Sequence, residues 1–217
     1  MQQGRYADCV AALLRSRQLD AKYLPSDTAF TLGRCYSLTG NLVKGTEEYL
    51  KVAAGQTVSA GILYYNLGDN LMAMGRVVEA GSYYRRALTE TPGNTILYYA
   101  LAVALDRQGQ RPAALAQLRR AVRLDPKGEA LTSSEILWFP PQDLDYFQGA
   151  RSAVLRHRLE SLRHFQSFQR KDPASQWRWA QRRWMEDLRS APGDTEDLRL
   201  GPGPVNAAVA LAELRPA

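Results

Sequence analysis

A fixed internal period runs through this chain, and a period of this length leaves few folds open. Gly68 and Ala102 are 34 residues apart, and so are Gly75 and Gly109, Ala80 and Ala114, Ala87 and Ala121, and Pro92 and Pro126. Five small or helix-breaking positions thus keep one spacing without a gap. Gly33, Gly40 and Tyr49 precede Gly68, Gly75 and Tyr84 by 35 residues, the same register with one residue inserted near Thr57–Ala60.

Each unit reads as two helices. Leu63, Tyr64, Leu67, Leu71 and Met74 recur at three- and four-residue steps, one face of a helix that Gly75 ends. Val77, Ala80, Tyr84, Ala87 and Leu88 mark a second helix that stops before Pro92. Small Gly68 and Ala80 fall where the two helices cross and let the backbones approach. Strand signals are absent from the pattern.

This arrangement resembles the tetratricopeptide repeat. Tyr64, Leu67, Gly68, Leu71, Gly75, Ala80, Tyr84, Ala87 and Pro92 carry the resemblance in one unit. Tyr98, Leu101, Ala102, Leu105, Gly109, Ala114, Leu118, Ala121 and Pro126 carry it in the next. The resemblance implies an all-α, right-handed α-solenoid of helix-turn-helix repeats. The expected organisation is an array over 1–189, with a half repeat at 1–25 and repeats at 26–60, 61–94 and 95–128. An insertion at 129–141, a divergent repeat at 142–175, a capping helix at 176–189 and a flexible tail at 190–217 complete it. In the repeat at 26–60, Gly45 stands where alanine is usual and no proline closes the unit. Apolar Leu131, Ile136, Leu137, Trp138 and Phe139 predict that the insertion is an ordered loop with a short helical turn. The half repeat lacks its first helix, so helix 4–16 exposes Val10, Leu13 and Leu14. Either an upstream start exists, or a partner or second copy supplies cover and self-association follows.

The resemblance also implies a concave groove lined by the first helices. Its expected lining is Phe30, Tyr65, Tyr99 and Tyr146, one aromatic per unit, with Arg34, Asn66, Asp69, Val103, Asp106 and Arg107 beside them. Aromatic anchors of this kind give interfaces large contact area at low entropic cost; tyrosine is also simply common at that point of the repeat. Asn66 is similar to the residue with which some relatives clamp a C-terminal carboxylate. The lysines of that clamp are replaced by Phe30, Arg34, Ile96 and Ala100, so chaperone tails are not the expected ligand.

Charge marks a second surface. The net charge is +6, and residues 151–189 carry all of it, ten Arg and Lys against four Asp and Glu. There Trp177, Ala180, Trp184 and Leu188 form a stripe for burial on the last repeat, while Trp179 falls among Arg178, Arg182 and Arg183. This basic surface reads first as a solvated face; as a binding surface it suits an acidic protein patch better than nucleic acid, for which no known binding fold accompanies it.

Chemistry finds little footing. His157 and His164 stand seven residues apart, about 10 Å along a helix, too far to share a metal. Asp143 and Asp145 read as capping or loop residues. Phosphate loops and nucleophile motifs are missing, so no catalysis, cofactor or metal is expected. No apolar run is long enough to span a membrane. Cys9 and Cys35 read as two free, half-buried thiols; a bridge is permitted but nothing in the spacing demands one. Arginine outnumbers lysine 23 to 5, which suits a GC-rich bacterial genome. The expected protein is a noncatalytic, cytoplasmic bacterial scaffold that binds a protein or peptide in its groove. The periplasm fits if a leader lies upstream. The alternatives are a C-terminal or regulatory part of a larger machine or enzyme, and, behind it, a nucleic-acid-binding module.

Overall fold

Helix periodicity throughout the sequence leads to helices throughout the structure. The computed structural model describes residues 2–19, 25–55, 58–132 and 141–190. Among them are α1 (Gln2–Leu19), α2 (Pro25–Leu38), α3 (Leu42–Gly55), α4 (Ala60–Ala73), α5 (Val77–Glu90), α6 (Thr95–Arg107), α7 (Arg111–Leu124), a 3-10 turn (Glu129–Leu131), α8 (Pro141–Val154), α9 (Arg158–Lys171) and α10 (Arg178–Ser190), with no strand. Helices pair as α2 with α3, α4 with α5, α6 with α7 and α8 with α9. Each pair then stacks on the next, as in tetratricopeptide solenoids.

The turn inside each pair is one device used four times. Gly40, Gly75 and Gly109 take φ of 84°, 78° and 78°, the left-handed conformation that glycine adopts without Cβ strain. The amide after each glycine then donates back to a carbonyl near the end of the first helix: Asn41 to Tyr36, Arg76 to Leu71 and Gln110 to Leu105, at 2.8–2.9 Å. This is a Schellman closure, which satisfies carbonyls the helix end would leave bare. In the fourth pair Arg156 does the same at φ 64°, and His157 donates to Ser152 at 2.8 Å. His157 is therefore the residue before α9 rather than part of it.

Close approach explains the small residues. A Cβ on Gly68 would lie 2.4 Å from the Tyr84 ring, and one on Gly33 would lie 2.7 Å from Tyr49. Tyr49 and Tyr84 are fully buried, so their rings have nowhere to retreat. Gly45 has its own cause: a Cβ there would meet Ser37 Oγ at 2.3 Å and Asn70 Nδ2 at 2.9 Å.

The two cysteines are not free. Cys9 and Cys35 form a disulfide that ties α1 to α2, with their Cα atoms 6.2 Å apart. The spacing of 26 residues said nothing of this, because bridging depends on where two helices pack and not on how far apart they are in sequence. A second tie joins α1 to α3. Arg17 donates to both oxygens of Glu48, at 2.7 and 3.1 Å, and Lys51 adds a third contact at 2.8 Å. Burial pushes the Glu48 carboxyl up, but these cations outweigh it and hold it below its ordinary value. Val10 and Leu13 are half-buried and Leu14 is exposed on α1.

The insertion yields a 3-10 turn at Glu129–Leu131, with Leu131 buried. Ile136, Leu137, Trp138 and Phe139 lie outside the described residues, as does the tail from 191 onward. Asp145 sits within α8 rather than before it. It accepts from Ser167 at 2.9 Å and pairs with Lys171 at 2.6 Å, stitching α8 to α9. Asp143 also falls inside α8.

Candidate partner-binding site

The first helices of successive pairs bring the expected lining residues together, but they do not present them alike. On α2, Phe30 is half-buried with its ring 5.6 Å from that of Tyr49, and Arg34 is exposed. On α4, Tyr65 is half-buried. Buried Asn66 spends its amide on the Ile62 carbonyl at 2.8 Å. Asp69 is buried and accepts from the Tyr84 hydroxyl at 2.7 Å. Burial pushes its carboxyl up to about 7, against the pull of the Tyr84 and Tyr65 hydroxyls.

Further along, the inner face is closed. Tyr99 is 1% exposed, Val103 2%, Asp106 4% and Tyr146 0%. The expected ladder of four open aromatics is thus corrected: Tyr99 and Tyr146 are core, and Val103 and Asp106 are interior with them. Several elements close it: Arg151 of α8 lies near the Tyr99 hydroxyl, Phe165 and Phe168 of α9 pack on Tyr146, and α10 with the turn before it reaches the C-terminal end of α6. Asp106 accepts from Trp184 Nε1 at 2.7 Å, from the Tyr146 hydroxyl through a short bond, and from Arg111 at 3.4 Å. Arg111 also reaches Asp187 at 2.6 Å, and its guanidinium lies 3.6 Å from the Trp184 ring centre. Arg107, buried, faces the rings of Trp177 and Tyr146. At the far end, Gln176 rests against Gly75.

Ala180, Trp184 and Leu188 of the expected stripe are fully buried, and Trp177 is half-buried. Trp184 stacks on Phe165 of α9, but its indole N–H passes beyond the last repeat to reach α6. Arg111 escaped the sequence reading. The available signal was its register: it stands where the two preceding units carry Leu42 and Val77, a cation at an apolar position. On the outer side of α10, Trp179 is 45% exposed, Arg182 is exposed, and Arg178 and Arg183 are half-buried.

Paired helices, a shared turn and end-to-end stacking define an α-solenoid of helix-turn-helix repeats. A family model described as tetratricopeptide repeat matches residues 71–133. A search of the curated proteins finds no match. Among solved structures, MamA superposes with a TM-score of 0.54 at 19% identity, covering 79% of this chain and 91% of its own. YrrB, described as a TPR protein with an unusual peptide-binding site, gives 0.52 at 18% identity over 79% of this chain and 80% of its own. A tetratricopeptide repeat protein from Parabacteroides merdae ATCC 43184 gives 0.55 at 16% identity over 86% of this chain and 67% of its own. The chain thus shares the tetratricopeptide solenoid fold with these structures, and its residues 71–133 match the repeat's family model.

Proposed function

We propose that the protein is a noncatalytic scaffold that binds a partner segment on the inner face of its first two full repeats. The observation that carries this reading is the contrast along that face. Phe30, Arg34 and Tyr65 remain accessible on α2 and α4, whereas Tyr99 and Val103 on α6 are buried. Two half-exposed rings flanking an exposed guanidinium are the kind of anchor set that concentrates binding energy. Asn66 and Asp69 lie buried beneath the site: the Asn66 amide donates to the Ile62 carbonyl, and the Asp69 carboxylate accepts from Tyr84 with the Tyr65 hydroxyl beside it.

The test is comparative capture from a lysate of the source organism by wild-type protein, Arg34→Glu and Tyr65→Ala. Partners retained by wild type should be lost or weakened by roughly tenfold in both variants, while the helical circular dichroism signal stays unchanged. Equal retention by Arg34→Glu, whose exposed side chain cannot disturb the core, overturns the reading.

The disulfide bears on compartment. Bridges persist in oxidising surroundings and are rare where glutathione keeps thiols reduced. Cys9–Cys35 therefore favours an oxidising compartment over the cytoplasm. Thiol labelling of freshly lysed cells distinguishes them: protected cysteines support this placement, and labelled ones overturn it.

A further inference from the structure

The second helices of the two central repeats carry a feature that groove binding does not use. Arg86 of α5 lies over the Tyr64 ring at 4.1 Å from its centre and donates to the Tyr64 hydroxyl at 2.7 Å. Arg120 of α7 lies over the Tyr98 ring at 4.9 Å. These pairs are equivalent: Tyr64 and Tyr98, like Arg86 and Arg120, are 34 residues apart. Arg85 and Arg119 repeat beside them at the same spacing. Arg85, Arg86 and Arg120 are exposed and Arg119 is half-buried. Among the described residues, none of the four has a carboxylate within ion-pair distance. Glu90, one helical turn beyond Arg86, is exposed and forms no bridge to it.

An arginine held against its own tyrosine has already given up much of its rotamer freedom, so a ligand that takes its free edge incurs less ordering cost. Two such cations, with Arg85 and Arg119 beside them on stacked helices and no carboxylate partner among the described residues, form a basic strip suited to an anion. We infer that this outer face of α5 and α7 binds an acidic protein segment. Its carboxylates would alternate with apolar residues, and its register would be matched to the repeat.

Carboxylate chemistry is favoured over a nucleic-acid strand for two reasons. Single strands are held by stacking bases on open aromatic faces. Here the Tyr64 ring is covered by Arg86, and Tyr98 is only 4% exposed with its hydroxyl donating to the Pro92 carbonyl. Exposed aliphatics also flank the arginines, Val78 at 64% and Leu124 at 49%. A protein segment can cover them and a phosphodiester backbone cannot. The site is separate from the inner-face residues Arg34 and Tyr65.

The experiment uses the full chain and a fluorescein-labelled peptide of alternating Glu-Glu-Leu, followed by anisotropy. A Lys-Lys-Leu peptide and an oligouridine of similar length are the competing probes. The acidic peptide should bind more tightly than either, and raised salt should weaken it. Changing Arg85, Arg86, Arg119 and Arg120 together to Gln should weaken binding at least about tenfold. Arg86→Lys with Arg120→Lys should give a smaller loss, since charge remains but the planar fork does not. Arg34→Glu should leave this binding intact, which separates it from groove recognition. Unchanged affinity in either arginine variant, or oligouridine binding more tightly than the peptide, overturns the proposal. The Lys variant keeps the test decisive should the Gln variant fail to fold.

Discussion

Arg156 is the residue where the repeat departs from its own rule. Gly40, Gly75 and Gly109 supply the left-handed turn without strain, whereas Arg156 holds φ 64° with a full side chain. A non-glycine residue there costs about 1 kcal/mol, so Arg156→Gly should raise stability by roughly 0.5–1 kcal/mol, read as a shift in the urea midpoint. The substitution works against the usual expectation that glycine weakens a chain. Asp69 gives a pH test. Its folded carboxyl is raised to about 7, well above its unfolded value, so the native state binds the extra proton. That contribution favours folding at low pH and fades as pH climbs through 7. Asp69→Asn should therefore gain on the wild type at pH 8, by on the order of 1–3 kcal/mol, and lose that advantage at pH 5. Thermal melts of both proteins at the two values decide it. Of these two residues, the glycine register made the first legible: counting 47 from Gly109, which is one repeat plus the insertion, lands on Arg156. The buried state of Asp69 was not legible, because an acid beside Gly68 reads equally well as a solvated groove residue.

At the scale of the element, α10 shows what periodicity can and cannot reveal. The stripe of Trp177, Ala180, Trp184 and Leu188 identifies a buried face, and Ala180, Trp184 and Leu188 are at zero exposure. An amphipathic pattern specifies which side of a helix is covered and not what covers it. Hence the reach of α10 to α6 lay outside the sequence signal, and with it the burial of Asp106 against Trp184. The helix is anchored by a polar cluster in a nearly dry setting: Asp106, Trp184, Tyr146, Arg111 and Asp187. Removing one member of such a cluster leaves others buried without partners, which costs more than the bond itself contributed. Trp184→Ala combines that loss with a large cavity beside Phe165 and should destabilise by about 3–5 kcal/mol. Trp184→Phe keeps most of the packing and drops only the indole donor, so it should cost less, about 1–3 kcal/mol. Chemical denaturation of the two variants separates packing from hydrogen bonding. Equal losses would show that the contact with Asp106 contributes most of the anchoring.

Across the whole molecule, stability should be graded along the array. The central pairs bury one continuous core from Leu71 on α4 through Leu188 on α10. A smaller cluster, Ala29, Tyr49, Val52, Leu63 and Leu67, serves the first full pair. At the N-terminal end, α1 adds few buried apolar groups and relies on the Cys9–Cys35 bridge and the Arg17–Glu48 pair. Repeat arrays behave as a chain of neighbour interactions, so a loss at one end need not propagate. Reducing the bridge releases a closed loop of 26 residues' separation, worth about 3 kcal/mol in the chain-entropy account. That exceeds what the remaining ion pair supplies, since partly exposed pairs of this kind typically contribute under about 1 kcal/mol. Hydrogen exchange with and without reductant should therefore show protection lost over residues 2–19 and retained over 60–124. Acidification acts on the second tie alone: the Glu48 carboxyl is held low when folded, so its contribution is present at neutral pH and disappears as pH falls below that lowered value. Reduction at acidic pH should then free α1 more fully than either condition alone. Loss of protection spreading into α4–α7 under reduction would mean that α1 stabilises the whole array, contrary to the nearest-neighbour picture.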